Sequence, residues 1–282
     1  MEIKKVGVVG CGLMGHGITQ VSAQAGYDVV VADVSQEALD KGLGKISKLL
    51  GKSVEKGKIE QADADAILGR ISSTTELSDF ADCDLVIEAV TENLDTKLEI
   101  WKQLDGIVKD EAYFATNTSS LPVINQAAAT TRPANFLGLH FFNPVQVMPL
   151  LEVIQSVTTS PEAMGIGLAY GEKLKKTTVE TKDKAGFIVN RLLIPFLNEA
   201  CFALAEGLGT IEDIDKAIKL GLNHPMGPFT LADLIGLDTC LAIAEVLHRE
   251  LGEDKYRPAP LLRNYVAAGW LGRKVGRGFY KY

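Results

Sequence analysis

Four side chains of types that move protons or grip polar ligands sit where short apolar runs end or are interrupted. His140 closes the run Phe136–Leu139, and Ser119 follows a run near 112–116. Glu152 lies inside Leu150-Leu151-Glu152-Val153-Ile154, and Asn190 lies in the apolar opening of a helical segment that starts near 187. A carboxylate inside an apolar run is costly unless paired. An imidazole is the partner that would turn that cost into chemistry. Glu152 would set the tautomer of His140 and favour its charged form, tuning it as a general acid and base. Taken singly, each residue also has a plain reading: His140 as a core histidine, Ser119 as a helix N-cap, Asn190 as a buried hydrogen-bonding residue. The other histidines offer less. His16 reads as packing near a bound ligand, His224 as part of a Pro-rich turn, and His248 as surface.

A second set of residues is built to hold a ligand. Lys4–Val9 is a short apolar run, followed by Gly10, Gly12 and Gly15 at G-x-G-x-x-G spacing, then by a helical pattern over Ile18–Ala25. The first glycine makes a tight turn, the second admits a pyrophosphate to the backbone, and the third lets helix and strand pack closely. Leu13 and Met14 complete the loop, whose free N–H groups and helix dipole suit an anion. A second run, Tyr27–Ala32, ends in Asp33, where a ribose-binding acid is expected. A carboxylate there accepts from a ribose 2′-hydroxyl and repels a 2′-phosphate, and residues 34–37 (Val, Ser, Gln, Glu) bring no cation. NAD, as NADH in the reducing direction, is therefore favoured over NADP.

These residues need a scaffold, and the pattern around them describes one. Apolar runs near 3–9, 27–32, 85–90, 112–116, 136–142, 149–155 and 177–181 alternate with helical stretches. That alternation is the mark of βαβ units and of an α/β, Rossmann-type, mostly parallel sheet. From Gly186 the pattern becomes helical: 187–206 with Pro195 inside, a helix opened by a Thr210/Asp213 capping box and stopped at Gly221, then 229–251 and 259–268. The expected division is 1–184, a dinucleotide-binding domain, and 185–282, a smaller all-α domain for substrate and dimerisation. Helices 187–206 and 229–251 carry more apolar positions than a small domain can cover, which predicts a homodimer.

Composition agrees. The 282 residues are 46% apolar, with no stretch approaching a membrane span and no secretion-signal pattern. The cysteines Cys11, Cys83, Cys201 and Cys240 are scattered, without metal spacing, as expected of a reduced cytoplasmic setting. A net charge of −7 argues against nucleic acid as a partner. It also means that a polyanionic substrate needs a local basic patch. Lys41, Lys45, Lys48 and Lys52 fall on one helix face within 35–60. They read either as a solvated face or as a landing strip for substrate phosphates, Lys48 and Lys52 foremost.

With these features in view, the chain resembles the short-chain L-3-hydroxyacyl-CoA dehydrogenases, most of all the bacterial 3-hydroxybutyryl-CoA dehydrogenases. The resemblance runs over essentially the whole length. It rests on GCGLMGHGI, on Asn117-Thr118-Ser119-Ser120-Leu121, on HFFNPV at 140–145, GFIVNR at 186–191, HPMGP at 224–228 and GFYKY at 278–282. It implies an NAD-dependent enzyme interconverting 3-hydroxyacyl-CoA and 3-ketoacyl-CoA such as acetoacetyl-CoA, within butanoate and fatty acid metabolism. It further implies that His140 is the base and Glu152 its partner, that Ser119 and Asn190 contact substrate, and that Glu92, Lys97, Ser119, Asn143 and Lys274 line the NAD site with Asp33. Two departures stand out: Ala185 replaces the expected proline before Gly186, and Cys11 and His16 stand where the family often has alanine. Neither removes a catalytic group. A non-catalytic dinucleotide binder would lack the His140, Glu152, Ser119 and Asn190 set. The 6-phosphogluconate and 3-hydroxyisobutyrate type of dehydrogenase would carry a lysine near Asn190, and none stands there.

Overall fold

A computed structural model describes residues 2–282. The chain divides into two compact units, one ending at Asp183 and one running from Lys184 to Tyr282.

The first unit is built on one eight-stranded sheet. Its strands are β1 (Lys5–Val9), β2 (Asp28–Ala32), β3 (Ile71–Thr74), β4 (Leu85–Glu88), β5 (Tyr113–Thr116), β6 (Phe136–Phe141), β7 (Leu150–Gln155) and β8 (Thr177–Lys182). They lie in the order β3-β2-β1-β4-β5-β6-β7-β8. Every neighbouring pair is parallel except β6 and β7, which run antiparallel. The chain leaves β1 toward one edge and returns at β4 toward the other. The switch point therefore falls between β1 and β4, where open α/β sheets place their ligands. The central strands are apolar on both faces because helices cover both: Val6 and Val8 of β1 and Leu85, Val86 and Ile87 of β4 are fully buried.

The covering helices are α1 (Gly15–Gln24), α2 (Gln36–Glu55), α3 (Gln61–Gly69), α4 (Leu94–Asp105), α5 (Val123–Ala127) and α6 (Pro161–Lys173). Leu39, Gly42, Ile46 and Leu50 form the buried stripe of α2 at helical spacing. Trp101 of α4 packs edge-on against Phe136 and tilted against Phe114, with ring centroids 4.7 and 5.0 Å away. Strand β3 escapes the sequence pattern. Its Ile-Ser-Ser-Thr is short, sits at the sheet edge and has two exposed members, so no apolar alternation announces it.

The second unit is helical: α7 (Val189–Ala205), α8 (Ile211–Gly221), α9 (Pro228–Ile235), α10 (Leu237–Leu251) and α11 (Pro260–Ala267). Its core joins Ile194, Leu197, Phe229, Leu237, Leu247, Leu262 and Phe279. The single helix expected over 229–251 is two helices. Gly236 takes φ +105°, which ends α9 and starts α10 at one residue. Thr210 caps α8 by accepting from the Asp213 N–H, and its hydroxyl donates to the Asp213 carboxylate. Two buried carboxylates explain the motifs at 224–228 and 278–282. Asp215 accepts from the N–H groups of Phe229 and Thr230 at the start of α9, and from the Tyr280 hydroxyl. Asp233 accepts from the N–H groups of Phe279 and Tyr280. A Cβ at Gly227 would meet Asp215 at 2.3 Å, and one at Gly278 would meet Asp233 at 1.9 Å. Among the described residues no helix is long and apolar enough to cross a membrane.

Candidate active site

The carboxyl ends of β1, β2, β4, β5 and β6 all face one edge of the sheet, since these strands are parallel. After β1 comes the glycine loop. Gly10 has φ +97°, and a Cβ there would lie 2.7 Å from the carbonyl oxygen of Ala89, which follows β4. A Cβ on Gly15 would lie 1.7 Å from the carbonyl oxygen of Gly10, so the helix can start this close to the strand only with glycine. At Gly12 a Cβ would meet nothing within 4 Å, so the space above the loop is open. The N–H groups of Gly12, Leu13 and Met14 find no acceptor among the described residues, and Met14 caps α1 without a side-chain bond. Asp33, after β2, accepts from the Cys11 N–H at 2.7 Å and the Val34 N–H at 2.7 Å while staying half-exposed. Unsatisfied amides at a helix start beside a carboxylate are the donor set that a dinucleotide requires.

His16 closes the loop from behind. Its Nδ1 lies 2.6 Å from the Gly12 carbonyl. Burial pushes the imidazole below its ordinary range, against the pull of that bond and helped by Lys45. The ring is therefore neutral near pH 7, with Nδ1–H donating to Gly12.

At the far side of the same edge stands the proton chemistry. The antiparallel register of β6 and β7 sets His140 directly opposite Glu152. Side chains of such a pair share a face and meet. Nδ1 of His140 lies 2.7 Å from Oε2 of Glu152, with His140 5% exposed and Glu152 fully buried. Phe142 packs against the imidazole, its ring centroid 4.5 Å away. A carboxylate on Nδ1 holds the proton there and turns the Nε2 lone pair outward from the pair.

Between the two lies the turn after β5. Asn117 accepts the Phe141 N–H at 3.0 Å and so ties this turn to the end of the histidine strand. Thr118 accepts the Leu121 N–H, and its hydroxyl donates to Glu92 at 2.5 Å. Glu92 also receives the N–H of Ser119 at 2.8 Å and its hydroxyl at 3.3 Å. Burial alone would raise the Glu92 pKa, but Lys97 and the bonds from Thr118 and Ser119 hold it below the usual carboxylate range. Lys97, 1% exposed, reaches both Glu88 (2.6 Å) and Glu92 (3.3 Å). Its ammonium is thus enclosed beneath the turn. Glu88, Thr116 and Asn117 were not among the candidates from sequence. Glu88 ends an apolar run as Glu152 interrupts one, and that likeness is the signal that could have flagged it.

The remaining candidates come from other segments of the chain. Asn143 is exposed in the segment after β6, in a cis peptide bond to Pro144. Asn190 is buried in the first turn of α7, within the helical unit. Lys274, also in that unit, pairs with Asp238 at 2.6 and 2.7 Å. His248 is half-buried rather than on the surface. Lys41, Lys45, Lys48 and Lys52 are all exposed along α2 and enter no ion pair among the described residues. The buried face of α2 meets the glycine loop, for a Cβ at Gly42 would lie 2.2 Å from the Cys11 sulfur.

A family model described as 3-hydroxyacyl-CoA dehydrogenase, NAD binding domain, matches residues 5–184, and that of the C-terminal domain matches 186–282. A probable 3-hydroxybutyryl-CoA dehydrogenase of Deinococcus radiodurans is 58% identical, over 99% of this chain and 100% of that one. A 3-hydroxybutyryl-CoA dehydrogenase of Bradyrhizobium diazoefficiens is 49% identical over 99% of this chain and 96% of its own. Among solved structures, the (S)-3-hydroxybutyryl-CoA dehydrogenase of Ralstonia eutropha superposes with a TM-score of 0.96. It is 48% identical, covering 100% of this chain and 99% of that one.

Proposed function

The chain belongs to the 3-hydroxyacyl-CoA dehydrogenase family, and on that premise we propose that it interconverts (S)-3-hydroxybutyryl-CoA and acetoacetyl-CoA with NAD, His140 acting as acid and base. The observation that carries this reading is the 2.7 Å His140–Glu152 pair at the sheet edge that also bears the open glycine loop.

The roles follow from the residues. In oxidation, Nε2 of His140 takes the proton of the 3-hydroxyl, and in reduction it returns a proton to the 3-keto oxygen. Glu152 keeps the neutral ring in the Nδ1–H tautomer and stabilises the imidazolium once the proton arrives. Ser119 and Asn190 hold substrate oxygens in reactive orientation. NAD, when bound, supplies the two-electron exchange as hydride at the substrate's C3. The amides of Gly12, Leu13 and Met14, with Gly10 and Gly15 shaping the loop, would hold its pyrophosphate, and Asp33 its adenine-side ribose. Glu92, Lys97, Asn143 and Lys274 complete that set by family likeness. Asp33 favours NAD over NADP because a 2′-phosphate would face its charge.

Two further parts of the reading concern partners. The coenzyme A phosphates are polyanionic in a protein of net charge −7, and the exposed Lys48 and Lys52 offer them a local positive face. The helical unit exposes Leu192, Leu208, Leu220 and Leu222 at 57–79%, in keeping with a homodimer contact there. The protein works in the cytoplasm on this reading. Initial rates with acetoacetyl-CoA and with longer 3-ketoacyl-CoAs, using NADH and NADPH in turn, test it. The highest kcat/KM is expected for acetoacetyl-CoA with NADH, and no turnover of any 3-ketoacyl-CoA would contradict it.

A further inference from the structure

Beneath Ser119 the hydrogen bonds close into a ring. The Lys97 ammonium donates to Glu88 Oε1 at 2.6 Å and sits 3.3 Å from Glu92 Oε2. Glu92 Oε1 receives the Thr118 hydroxyl at 2.5 Å, and the Thr118 N–H donates to the Thr116 oxygen at 3.2 Å. The Thr116 hydroxyl donates to Glu88 Oε2 at 2.8 Å and completes the circuit. The ring joins the end of β4, the start of α4 and the end of β5. Glu88, Thr116, Thr118 and Lys97 are each at most 1% exposed. Glu92 is the member that reaches solvent, and it is the one that grips both the N–H and the hydroxyl of Ser119.

A buried lysine shared by two carboxylates adds little net stability over apolar side chains of like volume. What such a ring supplies is direction, because each member's angle is set by two neighbours. Glu88 is fully buried, and its carboxylate accepts from the Lys97 ammonium, the Thr116 hydroxyl and the Val90 N–H, the last at 2.8 Å. With glutamine at Glu88 one of the two accepting oxygens becomes an amide donor, so the Lys97 ammonium or the Thr116 hydroxyl loses its acceptor and the ring opens on the side that ties Thr118 to β5.

We propose that Glu88 is a positioning residue for this reaction, acting through Ser119 by closing, with Lys97, the ring that fixes the 117–120 turn. The proposal rests on the reading of Ser119 as a substrate-contacting group. A misplacement of about 1 Å in a reacting geometry costs about a hundredfold in rate. Each break in the ring is therefore expected to lower kcat by roughly ten- to a hundredfold.

A double-mutant cycle in kcat for acetoacetyl-CoA reduction tests it, with wild type, Glu88→Gln, Ser119→Ala and the double variant. The expected result is non-additive: both single variants are slowed, and Glu88→Gln costs nothing further once Ser119 is alanine. Thr116→Val opens the same ring without touching a charge and carries the cycle if Glu88→Gln does not fold. Losses that multiply in the double variant, with Ser119→Ala itself slowed, overturn the ring and leave the Ser119 role intact. A Ser119→Ala variant that turns over normally overturns both.

Discussion

Two buried carboxylates each hold a basic side chain, Glu152 the His140 imidazole and Glu88 the Lys97 ammonium. Each interrupts or ends an apolar run, and each is fully buried. Glu152 was legible because an imidazole was available in a neighbouring run, but its pairing depends on the antiparallel register that sets it opposite His140. Glu88 was not legible, because its partner Lys97 looks like any surface lysine of an amphipathic helix until the helix is docked. Glu152→Gln keeps the volume and removes the charge, so the imidazolium loses its counter-ion. The pH–rate profile should shift and kcat should fall, less than on removing His140, and an unchanged profile would show the pair to be uncoupled. Asp33→Ala should narrow the preference for NADH over NADPH, read as the ratio of kcat/KM values. A wild type that prefers NADPH would remove Asp33 from that role. The four thiols are buried, which raises Cys11 to about 11 and Cys83, Cys201 and Cys240 to about 12. A folded pKa above the ordinary 9.0 favours the native state below pH 9 and loses that contribution as pH rises toward 12. Native protein at pH 8 should react with no thiol reagent while denatured protein titrates four cysteines, and stability should decline above pH 9.

Elements with a strong period read well, and those that depend on neighbours do not. The glycine loop and α1, the apolar central strands and the helical second unit follow from spacing alone. Strand β3 needs β2 beside it, for a four-residue edge strand of Ser and Thr has no pattern of its own. The break at Gly236 was hidden because a glycine inside a helical pattern is ordinarily tolerated. Here it takes a positive φ, with Lys274 and Asp238 packed around it. Helix α2 had two readings from its lysines, and its structure keeps the functional one open: the stripe is exposed, and the opposite face packs on the glycine loop. Changing Lys48 and Lys52 to glutamine should raise KM for acetoacetyl-CoA and leave kcat and the KM for NADH nearly unchanged. The effect should fade with salt, since exposed charges are screened within about 10 Å at 0.1 M. Wild-type kinetics of the double variant at low salt would return the stripe to a solvated face.

At the scale of the whole molecule, the sheet carries the candidate residues of its own unit at one edge, and the helical unit leaves large leucines exposed. Sedimentation at micromolar concentration should give a dimer, and a monomer alone would leave Leu192 and Leu208 unexplained. The motifs at 224–228 and 278–282, opaque in sequence, are accounted for by Asp215 and Asp233, which no local pattern could have paired with them. The central claim is that a buried imidazole–carboxylate pair moves the proton in a hydride-transfer reaction. It is tested most directly by measuring kcat for acetoacetyl-CoA reduction in wild type and His140→Gln, with NADH affinity measured on both. The account predicts a fall of about 10²–10⁴-fold in kcat with NADH binding retained. Near-normal turnover by His140→Gln would contradict it.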